Sequence, residues 1–168
     1  MIKTLLSALG IALIPGALFA QKVDNTPVGS FSLTRYLGTW YEIARIDHAF
    51  ERGMESTTAR YYMDDGGNLR IINSGTKNGS FRTAAAKART TDTPGLLRVS
   101  FFGPFYSDYR VLMVSSDYQH ALVGGRSGKY LWLLSRQAHP DDRQTGILLR
   151  EATARGYDVS SLTWVEQH

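Results

Sequence analysis

Short runs rich in aromatic and β-branched residues recur from residue 38 onward at roughly ten-residue spacing, with Gly, Asn, Asp and Ser between them. Two of the junctions, Asp65-Gly66-Gly67 and Asn78-Gly79, provide the positive φ that tight hairpin turns require. The pattern predicts antiparallel strands in up-and-down order. The eight predicted strands are 38–46, 55–63, 68–76, 80–89, 96–102, 108–115, 119–125 and 129–136.

One helix is predicted after these strands, from about Asp141 to Arg155. Pro140 and two aspartates suit a helix N-terminus, and Gly156 suits its C-terminal cap. The apolar stripe of this helix consists of Leu148, Leu149 and Ala152. Residues 162–165 then predict one more short strand, which can pair with an open sheet edge.

Eight antiparallel strands can close into a barrel, which removes unpaired edges. At that strand number the interior is either filled by side chains or large enough for one small ligand. In the strand at 80–89, alternation places Ala84, Ala86 and Ala88 on one face and charged residues on the other. The side chains on the inward face of this strand are therefore small, and we expect them to leave space inside the barrel.

The same alternation places aromatic and apolar side chains on the inner wall of the other strands. We expect the pocket to be lined by Trp132, Tyr130, Tyr109, Phe101, Val111 and Met113. A lining of this kind suits an acyl chain or another elongated hydrophobe. The alternative is a plain filled core, because alternation does not distinguish contact with a ligand from contact with neighbouring side chains.

The first twenty residues have the pattern of an export signal. Lys3 precedes a largely apolar run from Leu5 to Ile14, which is too short to span a bilayer, and Ala20 offers a small residue before a cleavage point. The expected organisation is a signal peptide at 1–20, an extended arm at 21–35 and one folded domain at 36–168.

Composition narrows the function classes. The 168 residues include no cysteine, which excludes a disulfide framework, a thiolate metal site and a cysteine nucleophile. The 19 Lys and Arg against 15 Asp and Glu give a mild net charge of +4. In an exported chain, nucleic acid is not expected as a partner. The excess of positive charge fits a weak preference for anionic lipid or substrate head groups, with peripheral contact to a membrane surface.

Enzymatic patterns are absent from the sequence. The four histidines, His48, His120, His139 and His168, lack metal-ligand spacing, and most of them are expected on the surface or in loops. Ser127 lies in a run that is not GxSxG and that joins two predicted strands. We therefore expect no catalytic residue, no metal site and no cofactor.

Three segments resemble the signature regions of the lipocalins: Gly38-Thr39-Trp40 in the first predicted strand, Ser107-Asp108-Tyr109 in the sixth, and Arg136 at the end of the eighth. Further segments resemble bacterial lipocalins of the outer-membrane lipoprotein type, which are relatives of apolipoprotein D. These segments are 36–45, 47–48, 50–53, 99–106 and 120–123. The resemblance covers residues 34–166.

This resemblance implies an all-β calyx of eight strands with one helix packed outside. It implies binding, storage or transport of a fatty acid, lysophospholipid or similar amphiphile in the cell envelope, without catalysis. It also implies that Trp40 and Arg136 stack and close the narrow end of the barrel. A guanidinium over an indole stabilises by about 1–2 kcal/mol when shielded from water.

One segment departs from those relatives. They carry a cysteine at the signal cleavage site that becomes acylated, whereas Leu18-Phe19-Ala20-Gln21 stands here. We therefore expect an exported protein, periplasmic or secreted, that is not anchored through a lipidated cysteine. The alternative functions are a barrel that binds haem or another hydrophobic ligand, since Tyr and His can hold haem iron, and a lipid-modifying enzyme.

Overall fold

The computed structural model describes residues 22–168, so the predicted signal peptide lies outside the described residues. Two α-helices, α1 (Leu33–Tyr36) and α2 (Asp142–Ala154), and a 3-10 turn at Val159–Ser161 occur in this range. The described strands are β1 (Gly38–Ile46), β2 (Glu55–Met63), β3 (Leu69–Lys77), β4 (Ser80–Thr90), β5 (Leu96–Phe102), β6 (Phe105–Val114), β7 (His120–Gly124), β8 (Leu131–Ser135) and β9 (Leu162–Trp164).

Strands β1 to β8 form a closed antiparallel barrel in up-and-down order, because each pairs with the next and β1 pairs with both β2 and β8. The predicted fold class is confirmed. β9 lies outside the closed ring. It pairs with Ala44–Ile46, the half of β1 beyond the β1–β2 pairing, which ends at Tyr41.

Up-and-down order places alternate connections at the same end of the barrel. The connections at 47–54, 78–79, 103–104 and 125–130 surround one end, which we call the open end. The turns at 64–68, 91–95 and 115–119 surround the other, the closed end. The β3–β4 hairpin uses Asn78 and Gly79 at φ 51° and 75°, as its Asn-Gly sequence predicts.

The N-terminal arm and α1 cover the closed end. Val28 donates its backbone N–H to the carbonyl of Val111 at 2.9 Å. Side chains of Val28, Phe31 and Leu33 pack on the buried residues inside the barrel. The arm was predicted to be extended to residue 35, but Ser32 caps a helical turn that begins at Leu33. The chain therefore forms a plug at this end.

Buried side chains form two clusters on opposite sides of the barrel wall. The interior cluster includes Tyr36, Trp40, Tyr61, Leu97, Val99, Val111 and Val123. The outer cluster, between the wall and α2, includes Ile43, Leu112, Leu122, Leu133, Leu148 and Ala152. Every residue of β7 is buried, since α2 covers its outer face. This explains why β7 is apolar without alternation.

Helix α2 begins at a capping box. The Asp141 carboxylate accepts from the backbone N–H of Gln144 at 2.8 Å, and the Gln144 side chain accepts from Asp141 N–H at 3.1 Å. Gly156 follows the helix at φ 86°. Within residues 22–168, no helix is both long and apolar enough to cross a membrane.

The attachment of α2 can be tested at Leu148, which is 0% exposed, while its neighbour Ile147 is 38% exposed. Leu148→Ala is expected to lower the free energy of unfolding by about 2–5 kcal/mol, because it leaves a cavity between helix and wall. Ile147→Ala on the same helix should cost about 1 kcal/mol or less. Urea denaturation followed by circular dichroism measures both, and equal losses would contradict this packing.

Candidate functional site

The closed end is built around Trp40 and Arg136. Trp40 is 0% exposed, and the Arg136 guanidinium carbon lies 3.8 Å from the centroid of its ring. Arg136 Nη1 donates to the carbonyl of Thr39 at 2.8 Å, and Nη2 donates to those of Arg35 and Leu37 at 2.9 and 2.8 Å. One side chain at the end of β8 therefore joins α1, the start of β1 and the indole.

Gly38 makes this approach feasible. Its φ is +101°, a conformation that favours glycine, and a Cβ at this position would lie 3.2 Å from Arg136 Nη1. Burial lowers the pKa of Arg136 from its ordinary value, although a guanidinium remains protonated in proteins. The glycine and tryptophan of the first motif thus serve the same contact.

Three tyrosine hydroxyls meet above this closure. The Tyr109 hydroxyl lies 2.6 Å from that of Tyr36 and 2.7 Å from that of Tyr61. Burial raises the pKa of all three phenols, so they stay neutral. Of these three tyrosines, only Tyr109 was predicted from the sequence to line the pocket. Tyr61 could also have been predicted, because it occupies an inward position of β2 together with Ala59.

A cluster of charged and titratable groups is buried toward the open end. It consists of Glu42 and Arg45 from β1 and His48 and Glu51 from the loop that follows, and we call it the polar cluster. Arg45 Nη1 donates to Glu42 Oε1 at 2.7 Å, and Nη2 donates to the Glu51 carbonyl at 2.6 Å. His48 Nε2 lies 2.8 Å from Glu51 Oε2.

The polar cluster faces the interior of the barrel. Trp132, which packs on the interior cluster, donates its indole N–H to Glu51 Oε2 at 3.0 Å. The charges of Glu42 and Glu51 also raise the pKa of the inward-facing Tyr61. This arrangement is not predictable from local sequence patterns, because Glu51 and Trp132 are 81 residues apart.

Two carboxyl groups are buried in the polar cluster, and Arg45 donates to the side chain of Glu42 but only to the backbone carbonyl of Glu51. Burial and, to a smaller extent, the nearby Glu51 charge raise the pKa of Glu42 from 4.5 to about 8, and Arg45 offsets only part of this rise. Glu42 therefore retains its proton at neutral pH. Apart from His48 Nε2, which lies beside Glu51, two buried nitrogens of the cluster, Arg45 Nε and His48 Nδ1, have no hydrogen-bond partner among residues 22–168.

Aromatic rings surround the imidazole of His48 at the mouth. Ring centroids lie 3.9 Å away at Phe50, 5.4 Å at Trp132 and 5.8 Å at Tyr130. Tyr130 and Trp132 stack at 6.0 Å with an interplanar angle of 15°. The loop at 47–54 therefore lies against the inner wall of β8 and forms one side of the mouth.

Exposure along the inward faces shows where the interior opens. On β4, Ala86 and Ala88 are buried, whereas Ala84, two residues nearer the open end, is exposed. On β6, Val111 is buried, whereas Ser107 on the same face is exposed. Because these positions alternate inward, solvent reaches the interior from the open end and stops at the packed floor.

The structure brings four of the six predicted lining residues to the interior or its mouth. Trp132 and Tyr109 are partly buried against the interior cluster, Val111 is 0% exposed within it, and Tyr130 stands at the mouth with 38% exposure. Val111 is therefore part of the packed core in this conformation.

The inward position expected for Met113 is wrong. A bulge between Val111 and Met113 interrupts the pairing of β6 with β7, so that both Leu112 and Met113 pack in the outer cluster. Phe101 also follows an irregular step, between Val99 and Phe102, and is 36% exposed. It lines a groove of about 320 Å³ that also includes Tyr62, Arg70, Ala85, Lys87 and Ser100.

His48 lies in the loop at 47–54, within the expectation of surface or loop positions, although it is only 9% exposed. His120 departs from that expectation, because it begins β7 and is 8% exposed. His139 and His168 are exposed. His168 Nε2 lies 3.5 Å from Glu55 Oε2 and 3.7 Å from Glu166 Oε2, a grouping of exposed charges near the chain end.

The raised pKa of Glu42 predicts a pH dependence of stability. The folded protein holds a proton that the unfolded chain releases above pH 4.5, so stability falls as pH rises from 4.5 to about 8. Glu42→Gln removes this titration and still offers an oxygen to Arg45. The variant should therefore gain free energy of unfolding relative to wild type across this window, measured by urea denaturation at successive pH values.

The matched control is Glu166→Gln, since the Glu166 side chain is 75% exposed. Its difference from wild type should stay constant with pH. A constant difference for Glu42→Gln as well would contradict the buried, proton-retaining carboxylate.

Comparison with known proteins agrees with this architecture. The Lipocalin-like domain family matches residues 31–167. Outer membrane lipoprotein Blc of Escherichia coli (strain K12) is 47% identical over 146 residues, covering 84% of this chain and 82% of that protein. Apolipoprotein D of Mus musculus is 27% identical over 158 residues, covering 87% and 82%. Insecticyanin from Manduca sexta shares the fold, with a TM-score of 0.69 at 21% identity, covering 84% and 83%. The chain therefore belongs to the lipocalin family.

Proposed function

We propose that the protein binds one amphiphile, such as a fatty acid or lysophospholipid, with its acyl chain inside the barrel and its polar head toward the open end. Lipocalins bind small hydrophobic ligands. The observation that carries the proposal here is the change in solvent exposure along the inward faces of the strands. Residues of these faces are buried near the closed end and exposed near the mouth, as Ala88 and Ala84 of β4 illustrate. A blind, apolar recess suits an elongated hydrophobe.

An acyl chain supplies the main favourable contribution. Each CH₂ removed from water contributes about 0.8 kcal/mol, so a long chain supports micromolar or tighter binding after ordering costs. The chain would lie along Trp132 and approach the Tyr109 hydroxyl, which is already paired with two other tyrosines. The neutral phenols would form the floor of the recess.

The polar head would meet the polar cluster. Arg45 Nε and His48 Nδ1 are buried nitrogens without a hydrogen-bond partner among the described residues. The polar cluster to which they belong contacts Trp132 through Glu51. A carboxylate or phosphate oxygen could accept from the guanidinium. This arrangement supports an amphiphile over a plain hydrocarbon.

The proposed role is binding and transfer in the cell envelope, without catalysis. The Escherichia coli relative is named an outer membrane lipoprotein. We propose that this chain is exported by the signal at residues 1–20, to the periplasm or beyond, and that it acts without a lipidated cysteine, because its sequence contains no cysteine.

Ligand binding can be tested with Trp132→Glu. Native mass spectrometry of the purified protein should detect a bound amphiphile, and displacement of a fluorescent fatty acid should saturate at one site. Trp132→Glu places a carboxylate beside Glu51, which the indole contacts at 3.0 Å. An unpaired charge in the lining costs several kcal/mol, so affinity should fall about a hundredfold or more.

Two other tryptophans provide controls. Trp164 is 53% exposed on β9, so Trp164→Glu should leave the affinity unchanged. Trp40 is fully buried at the closure, so Trp40→Ala should lower the free energy of unfolding by about 3–5 kcal/mol and affect binding less than Trp132→Glu. The absence of saturable binding of any amphiphile, or a haem Soret band that fatty acid does not compete away, would overturn the proposal.

A further inference from the structure

Five aromatic side chains stand exposed around the open end, in the four connections there or at the strand ends beside them. Their exposed fractions are 63% for Phe50, 72% for Phe81, 80% for Phe102, 79% for Phe105 and 38% for Tyr130. We call these five residues the aromatic rim. Large apolar side chains concentrated at one end of a molecule mark an interaction site, whereas single exposed ones do not.

The most exposed pair projects from the β5–β6 hairpin. Phe102 and Phe105 are cross-strand partners on either side of Gly103 and Pro104, and Gly103 has a φ of 53°. The tight turn holds both rings at the tip of the barrel wall. Neither ring belongs to the interior or the outer cluster, so packing within the described residues does not account for them.

Charge is distributed unevenly along the barrel axis. The closed-end turns at 64–68, 91–95 and 115–119 contain four aspartates and no Lys or Arg. The open-end connections at 78–79, 103–104 and 125–130 contain Arg126 and Lys129 and no acidic residue. Lys77 and Arg82 flank the first of these connections. The open end is thus the basic end of the barrel.

Acidic groups near the open end are largely compensated. In the loop at 47–54, Asp47 pairs with Arg52 at 2.6 Å, and Glu51 is buried beside His48. Glu55 stands with Glu166 and His168 on the β9 side. Lower on the outer wall, Asp108 is contacted by Arg98, Arg110 and Arg126, so that three arginines share one carboxylate.

We propose that the aromatic rim docks the open end onto a bilayer that contains anionic phospholipid. Aromatic rings are favoured at the boundary between head groups and acyl chains, and basic side chains beside them contact the phosphates. Lys77, Arg82, Arg126 and Lys129 occupy this position around the rim. The inference rests on the proposed function in one respect, which is that docking would give the mouth of the calyx access to its lipid ligand. Docking itself does not require an occupied calyx.

A second copy of the chain is a poorer occupant of this surface. Two open ends placed face to face would bring the four basic residues of each copy together, and like charges at an interface oppose association. An anionic membrane surface instead attracts each of them, by about 1 kcal/mol per residue near the surface. Charge complementarity therefore favours the bilayer.

The test is co-sedimentation of the exported form of the protein with vesicles. Vesicles of phosphatidylethanolamine and phosphatidylglycerol should bind the protein, and pure phosphatidylcholine vesicles should bind it at least about fivefold more weakly. Phe102→Ser with Phe105→Ser should weaken binding to the anionic vesicles by about tenfold or more. The matched control is Ile147→Ser with Met63→Ser, an exposed apolar residue of α2 and one beside the closed-end turn at 64–68, which should leave binding unchanged.

The contribution of the basic residues to vesicle binding is tested with a separate pair of variants. Arg126→Glu with Lys129→Glu should weaken binding to anionic vesicles by about tenfold or more, and added salt should weaken wild-type binding. Arg143→Glu with Arg150→Glu makes the same change of net charge on exposed positions of α2 and should have less effect. Equal losses for both pairs would show attraction by net charge alone and would overturn the oriented docking.

Failure of docking can be separated from failure of ligand binding. The double variant Phe102→Ser with Phe105→Ser should bind fluorescent fatty acid in solution with the same affinity as wild type. Absence of vesicle binding by the wild type overturns the docking proposal, as does a dimer that the serine variants convert to a monomer. Vesicle binding without saturable fatty-acid binding supports docking and overturns the proposed function.

Discussion

The contact of Arg136 with Trp40 is the constraint on which the rest of the fold depends. An eight-stranded barrel holds a blind recess only if one end is closed, and this chain has no cysteine with which to fasten the closure. The guanidinium covers the indole at 3.8 Å and binds backbone carbonyls of α1 and β1. It therefore joins the last barrel strand to the first and holds the arm across the opening.

The other end of the barrel stays open because β1 changes partners. Its first half pairs with β2, and beyond Tyr41 it pairs with β9 outside the ring. Residues after β9 bridge the gap between β1 and β2, because the Gln167 side chain donates to the carbonyls of Glu42 in β1 and Thr57 in β2 at 2.7 and 3.0 Å. The loop at 47–54 occupies the widened mouth and brings His48 and Glu51 against β8.

Period-two alternation and turn chemistry predicted most of the architecture from sequence. They located all eight barrel strands, the outer strand and α2, and they assigned Trp132 and Tyr109 to the interior. They failed at the bulge in β6, because nothing in the sequence marks where alternation breaks and Met113 turns outward. The polar cluster was also missed, since charged residues are normally exposed and its partners meet only in the closed barrel.

The bulges in β1 and β6 have the same effect on the outer cluster. In β1 the pairing shifts between Glu42 and Ala44, so that Ile43 and Ala44 both pack in the outer cluster. In β6, Leu112 and Met113 do likewise. Each bulge supplies α2 with two adjacent apolar contacts where strict alternation would supply one.

The β1 bulge also explains how two charged residues enter the interior. Two outward residues in succession place Glu42 and Arg45 on the same inner face, three positions apart, with Nη1 and Oε1 separated by 2.7 Å. A buried arginine with a carboxyl partner seldom stabilises a fold more than apolar residues of similar volume would. The cost of desolvating Glu42, visible in its raised pKa, thus argues for a role beyond stability. An amphiphile requires such a recess, with an apolar floor and polar groups near the mouth, whereas a hydrocarbon would be bound as well by a purely apolar lining.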